Sequence, residues 1–368
     1  MRKWLTSSIV LAVATLMTPA SLCAVERMAS GAAVRSAPAE AALYVSDERG
    51  GAVLVIDLPS GAVRARIAVG KRPRGLGLSP DRRTLYVALT GSAASGPVPA
   101  QEQNSAPDPT ADGIGVVDLN SQQLVKVIPS GPDPEAFAVS PDGKMLYVSN
   151  EDAATLSFID VAGGMIVANV AVGAEPEGVA VTRDGKIIFI ACEAANAVYV
   201  VSASTRKVLA RIAVPRRPRS IVLTPDDKLA FVASEIEPAV TVIDPVALVA
   251  LKTISLAPAD GRNVRPMGLA LSPSAATLYV TTGRGGSLVE VDVRSATARR
   301  TIASIGARPW GVAVSADGST AFTANGPSGD ISVIDLGAGA LQAHLQVGAS
   351  PWGVLYARHR RDRPRPSR

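Results

Sequence analysis

The side chains best suited to chemistry sit in one recurring phrase, x-Pro-x-small. It is centred on Pro73, Pro134, Pro176, Pro218, Pro266, Pro309 and Pro351. Its variable positions read Arg72/Arg74, Asp133/Glu135, Glu175/Glu177, Arg217/Arg219, Arg265/Met267, Arg308/Trp310 and Ser350/Trp352. Arginine forks grip carboxylates through two parallel hydrogen bonds. The indoles of Trp310 and Trp352 offer faces on which a flat molecule stacks. Other reactive groups are scarce: the histidines are His344 and His359, and the cysteines are Cys23 and Cys192. A zinc hydrolase needs several such ligands in register. No CxxC, HExxH, GxSxG or GxxxxGK[ST] run occurs, and the lack of CxxCH excludes a c-type haem. The inventory favours binding over catalysis.

The elements that hold this phrase repeat with it. An LYV-like phrase recurs at residues 43–45, 85–87, 146–148, 188–190, 230–232, 278–280 and 321–323, in steps of 42, 61, 42, 42, 48 and 43. A VID-like phrase ends at Asp57, Asp118, Asp160, Asp244, Asp292 and Asp335, with Ser202 in the remaining repeat. Turns of the type found at residues 140–143 (SPDG) precede the LYV phrase, with Pro and Gly where a type I turn prefers them. The apolar runs span four to six residues and are rich in Val, Ile and Tyr, which favours strands. Several are apolar on both faces, as expected of sheets packed between two neighbours.

Four short strands per unit of about 42 residues indicate an all-β fold, a seven-bladed β-propeller of four-stranded antiparallel blades. The chain enters at an LYV strand and leaves on a Pro-x-Gly strand at 351–356, and neither end makes a whole blade. The ring is therefore expected to close by pairing the C-terminal strand with three N-terminal ones, which ties the ends together and hides a sheet edge.

The wording of residues 146–151, 156–161, 172–186 and 307–318 resembles the YVTN-type β-propeller family. Residues 71–81 (KRPRGLGLSPD), 130–152 and 216–226 are similar to the propeller proteins associated with pyrroloquinoline quinone-dependent alcohol catabolism. The resemblance covers roughly residues 41 to 357. It implies an exported protein that serves a periplasmic quinoprotein pathway, with a quinoprotein dehydrogenase, its cytochrome or a transporter component as partner. Two features depart from the pattern: a 19-residue excess in the second repeat and an arginine-rich C-terminal end.

In a propeller the x-Pro-x-small phrase leads into the innermost strand, so its side chains surround one mouth of the central channel. The loops after LYV open on that face and carry Glu48, Glu151, Glu193 and Glu235 at matched places. Two arrangements satisfy these charges. One is a ring of arginine–carboxylate pairs that keeps neighbouring blades in register. The other is a ligand- or partner-binding site made of Arg72, Arg74, Glu135, Glu177, Arg217, Arg219, Arg265, Arg308, Trp310 and Trp352. Pyrroloquinoline quinone, flat and rich in carboxylates, is the cofactor such a site would take; otherwise no cofactor and no metal is expected. The VID and SPDG aspartates read as turn caps, because one per blade around a ring cannot share an ion.

Function therefore reads as a non-catalytic binding propeller. A propeller enzyme of lactonase or quinoprotein dehydrogenase-subunit type is the alternative, and single-stranded nucleic-acid binding a further one. Residues 358–368 alone carry a net charge of +5, and with Arg2 and Lys3 also set aside 29 basic and 31 acidic residues remain. So neutral a body argues against nucleic acid. Residues 1–24 have the tripartite pattern of a signal peptide, which points to a periplasmic or secreted chain. A lipid anchor at Cys23 fits less well beside Leu22. Residues 25–40 read as a linker, 91–112 as a flexible insertion and 358–368 as a basic tail. No transmembrane span is expected in the mature chain, and a monomer is.

Overall fold

Residues 41–58, 60–92, 107–258, 261 and 263–358 are described here from a computed structural model. They form seven four-stranded antiparallel sheets. Blade one joins the C-terminal strand Pro351–Arg358 to Ala41–Asp47, Ala52–Asp57 and Val63–Ala68. The other blades are continuous in sequence. Their innermost strands are Pro73–Leu78, Pro134–Val139, Pro176–Val181, Pro218–Leu223, Leu269–Leu271 and Pro309–Val314, in blades two to seven. These strands and Pro351–Arg358 touch in cyclic order, which closes the ring. The propeller, its blade number and its mode of closure are those expected. The closing strand reaches two residues further than expected: Ala357 pairs with Ala42, and Arg358, assigned to the tail, pairs with Ala41. Among the described residues no helix is long and apolar enough to cross a membrane.

The LYV strands are apolar on both faces because each blade is sandwiched. Leu43, Val45, Leu54 and Ile56 of blade one pack against Phe322, Ala324, Ile331 and Val333 of blade seven. Tyr44, Val53 and Val55 face Leu85, Val87 and Leu89 of blade two. The aromatic position of every LYV phrase is buried. Outer strands such as Met165–Ala171 alternate between exposed and partly buried positions, as an outer edge with one packed face requires.

The x-Pro-x-small phrase is where blades meet backbone to backbone. Proline has no N–H to give a ladder, so it opens each of these strands except that of blade six, and the register then shifts, as between Pro73 and Leu76. The small residue faces the next blade. A side chain at Gly311 would start 2.9 Å from the Trp352 carbonyl oxygen and 3.0 Å from the Val354 nitrogen. At Gly353 it would lie 2.8 Å from the Arg74 carbonyl oxygen. Buried hydroxyls latch the same junctions. Ser46 donates to the Arg74 carbonyl (2.7 Å) and accepts from the Gly353 N–H (2.8 Å). Ser149 donates to the Glu177 carbonyl and Thr281 to that of Trp310, each at 2.6 Å.

The SPDG turns close as expected: Gly143 donates to the Ser140 carbonyl at 2.8 Å, and Ser140 donates to Asp142 at 2.6 Å. The VID aspartates cap turns. Asp160 accepts from the Gly163 N–H (2.7 Å) and Asp244 from those of Val246 and Ala247 (2.8 and 2.9 Å). The expectations for residues 1–40, for the tail beyond Arg358 and for the centre of the 91–112 insertion lie outside the described residues. The insertion's described end is ordered: Asp108 caps a 3-10 turn, Pro109–Ala111, and pairs with Lys71 at 2.6 Å.

Ser46→Ala would leave a buried N–H and a buried carbonyl at the closing seam without a partner. It should cost about 1–3 kcal/mol, and deletion of residues 351–358 should abolish the single cooperative transition. Urea denaturation of both variants checks this; a wild-type midpoint in the deletion would show that the ring does not need its closing strand.

Candidate functional site

The residue before each proline sets the direction of the side chains at the mouth. Arg72, Asp133, Glu175, Arg217 and Arg308 have φ of 39°, 51°, 52°, 66° and 52°, the left-handed region that residues with a Cβ seldom occupy. In three blades this bend is held by the loop acid. The N–H of Glu151, Glu193 and Glu235 donates to the carbonyl of Asp133, Glu175 and Arg217, at 3.0, 2.7 and 2.8 Å. Loop acid and x-Pro-x side chains are thus gathered at the same mouth.

Six of the candidate residues enter an ion-pair network. Arg72 and Arg74 of blade two pair with Glu48 of blade one, at 2.9 and 3.3 Å. Arg74 also pairs with Glu135 of blade three. Arg219 of blade five reaches back to Glu177 and, at 2.6 Å, to Glu193 of blade four, and holds Glu235 of its own blade at 3.0 Å. Arg217 binds Glu193 and lies 3.5 Å from Glu235. Arg74, Glu135, Glu177, Glu193 and Glu235 are all buried. The inter-blade pairs thus run from blade one to three and from five to four.

Arg206 of blade four reaches the Val167 carbonyl of blade three at the outer edge (3.3 Å), but at the mouth no ion pair among the described residues joins blades three and four. Carboxylate oxygens of Asp133, Glu135 and Glu151 lie within 4.8 Å of one another. Asp133 accepts a short hydrogen bond from Thr90. Glu151 has no ion pair or side-chain hydrogen bond among the described residues. Burial, with Glu177 and Asp133 nearby, pushes its carboxyl up to about 7, against the opposing pull of Arg74 and Arg219. Burial pushes Glu193 up to about 8; Arg219 and Arg217 oppose this and Glu177 adds to it. For Glu48 burial acts upward, but Arg74 and Arg72 outweigh it and hold the carboxyl below its ordinary value.

The opposite sector is aromatic and basic. Trp310 and Trp352 stack with centroids 5.8 Å apart and planes 30° apart. The Arg308 guanidinium lies 4.7 Å from the Trp310 centroid and that of Arg219 5.9 Å from it. Arg308 has no carboxylate partner among the described residues, and burial, then Arg284, lowers its pKa. The Trp pair, Met267, Glu177 and Arg219 line a cavity of about 230 Å³ whose wall continues into the small residues of the phrase and whose depth is apolar, as at Leu76, Val179 and Ile221. Arg265 does not join the other candidates: its Nε donates to Asn263 at 2.8 Å, and Met267 takes the lining position of that blade. In blade six a 3-10 turn, Gly283–Gly285, stands where four other blades carry the loop acid, and the charge of its Arg284 acts on Arg308.

The other nucleophile and base candidates do not line this cavity: Cys192 pairs in register with Pro176 but belongs to the buried core between blades. Cys192 is buried, and burial pushes its thiol up to about 12. His344 lies on the outer strand Ala340–Gln346, with Nδ1 near both Ser332 (3.3 Å) and Asp330 (3.4 Å). Sequence reasoning missed Arg284 and the hydroxyl latches. The latch could have been read from the residue after LYV, which is Ser, Thr or Ala in every repeat.

The model of the choice-of-anchor I domain matches residues 8–213. The chain belongs to the choice-of-anchor I domain family. The match spans Arg72, Arg74, Glu135 and Glu177 and ends before Arg308, Trp310 and Trp352, so the family likeness lies on the acidic side of the mouth. No curated protein matches the sequence. Among solved structures, a hydrazine synthase of Kuenenia stuttgartiensis is 17% identical with a TM-score of 0.63, over 78% of this chain and 95% of that one. A putative 6-phosphogluconolactonase from Bacteroides uniformis is 16% identical with a TM-score of 0.69, over 87% and 100%. A functionally unknown protein from Desulfotomaculum acetoxidans is 14% identical with a TM-score of 0.70, over 86% and 99%. Identities this low speak for the propeller fold alone.

Arg74→Ala would strand Glu135, which is 1% exposed, without its counter-ion; a loss of about 3–5 kcal/mol in urea denaturation is expected. Glu151 gives a pH test. Its folded value is raised, so its contribution is complete below the unfolded value near 4.5 and is lost as pH rises through about 7. Wild-type stability relative to Glu151→Gln should therefore fall between about pH 5 and pH 8; parallel curves would contradict it.

Proposed function

We propose that this chain is a non-catalytic binding propeller that takes a small, flat, carboxylate-bearing ligand at the mouth of its channel. The observation that carries the reading is the sector in which Trp310 and Trp352 line the 230 Å³ cavity and Arg308 lies against the Trp310 ring. There the indoles supply a stacking face. Arg308, free of a carboxylate partner among the described residues, supplies the fork that an anion needs. The paired arginines at the rest of the mouth stiffen the blades around this sector. Binding is favoured over catalysis because neither His344 nor the buried Cys192 lines the cavity, and a lactonase or dehydrogenase would need an acid–base or metal constellation in it.

In this reading the protein is exported, acts in the periplasm and serves quinoprotein-dependent alcohol oxidation. Its partner is a quinoprotein dehydrogenase, its cytochrome or a transport component. Support comes from the signal-like N-terminus and from the wording of residues 71–81, 130–152 and 216–226. Affinity capture from a periplasmic extract should recover such a partner.

Pyrroloquinoline quinone is the probe for the ligand site. Calorimetry should show one site per chain in the wild type, with affinity reduced at least tenfold in Arg308→Ala, since one charge-assisted contact is worth about 1.5–3 kcal/mol. No heat with the wild type would remove the quinone as ligand, and an unchanged affinity in Arg308→Ala would place any binding elsewhere.

A further inference from the structure

The charge of the mouth is divided between two opposed sectors. At the phrase and matched loop positions blades three and four contribute Asp133, Glu135, Glu151, Glu175, Glu177 and Glu193 and no base; blades six and seven contribute Arg284 and Arg308, with Arg265 turned to Asn263, and among the described residues no acid. In a ring of seven, blade seven lies opposite the junction of blades three and four. Arginines from blades two and five neutralise the flanks of the acidic sector through Glu135 and Glu177. Glu151, at its centre, keeps no such partner among the described residues. Its carboxylate lies within 4.8 Å of that of Glu135, whose chain neighbour Ala136 lines the cavity, so Glu151 borders the cavity without lining it.

We infer that the ligand of this mouth is bipolar: a flat body on the Trp310–Trp352 edge, a carboxylate toward Arg308 and Arg284, and an amine toward Glu151 and Asp133. Arg74 pairs with Glu135 of this cluster, but among the described residues no cation pairs with Glu151 or Asp133, and an ammonium group there supplies that counter-charge through charge-assisted hydrogen bonds. A second carboxylate in that position meets like charge instead. The selectivity is therefore for aromatic or heteroaromatic amino-carboxylates with the two groups at opposite ends. The quinone probe above, which carries carboxylates alone, is a weak member of this class. The inference rests on the proposed binding site and narrows its ligand.

The test is calorimetry with three matched probes at pH 8, above the value of about 7 for Glu151. They are 4-(aminomethyl)benzoate, 4-methylbenzoate and terephthalate. The first should bind about tenfold more tightly than the second, and the third more weakly than either. Glu151→Gln should erase the advantage of the amine and leave 4-methylbenzoate unchanged, while Arg308→Ala should weaken both. If 4-methylbenzoate binds through Arg308 but the amine adds nothing, this inference is overturned and the binding site stands. If none of the three binds, the site falls and the inference with it. An amine preference that survives in both Glu151→Gln and Asp133→Asn would also overturn it.

Discussion

Everything in this ring depends on the close approach of neighbouring innermost strands. Backbone meets backbone there, so one position per repeat must be small: Gly75, Ala136, Gly178, Ser220, Gly268, Gly311 and Gly353. The preceding proline leaves the ladder one donor short, the register shifts, and the freed carbonyl turns toward the next blade. Side chains on either side of the proline then have only the channel mouth to enter. The contact that holds the ring together is also what concentrates charge at one opening. Packing and site are consequences of the same few atoms.

That concentration has to be neutralised, and the chain does so unevenly. Blades two and five carry nearly the same phrase, KRPRG and RRPRS, and both face inward on the acidic blades three and four. Their arginines are buried against carboxylates at the flanks of the acidic pair. Such pairs specify register more than they add stability. Among the described residues, this leaves Glu151 at the junction of blades three and four and Arg308 of blade seven without an ion-pair partner. Where blades one and seven meet, tryptophan replaces charge, and the two indoles stack across the seam.

Fold and closure were legible in the sequence because period is a one-dimensional signal. Strand count, turn type and the cap role of the VID aspartates all follow from residues within one repeat, and short-range physics decides them. The mouth was legible as a place, since position in the repeat determines the face. It was not legible as a network. Arginine has a long stem, and whether Arg219 meets Glu177 or lies exposed depends on a neighbouring blade some 42 residues away in sequence. Blade six shows the same limit. Its inner strand is shortened to Leu269–Leu271 and a 3-10 turn replaces the loop acid, so Arg265 turns to Asn263 and the charge that acts on Arg308 comes from Arg284. Nothing in the phrase itself announces that exchange.

The central claim is that the Trp310–Trp352 sector is the part of the mouth left open to a ligand. The chain has three tryptophans, and the third, Trp4, lies within the expected signal segment. The mature protein would therefore give two indole N–H signals, both from the mouth. Titrating 15N-tryptophan-labelled protein with 4-methylbenzoate, followed by NMR, reads them directly. The account predicts that both signals move along one saturating curve. Two unmoved signals, in a sample where calorimetry records binding, would contradict it.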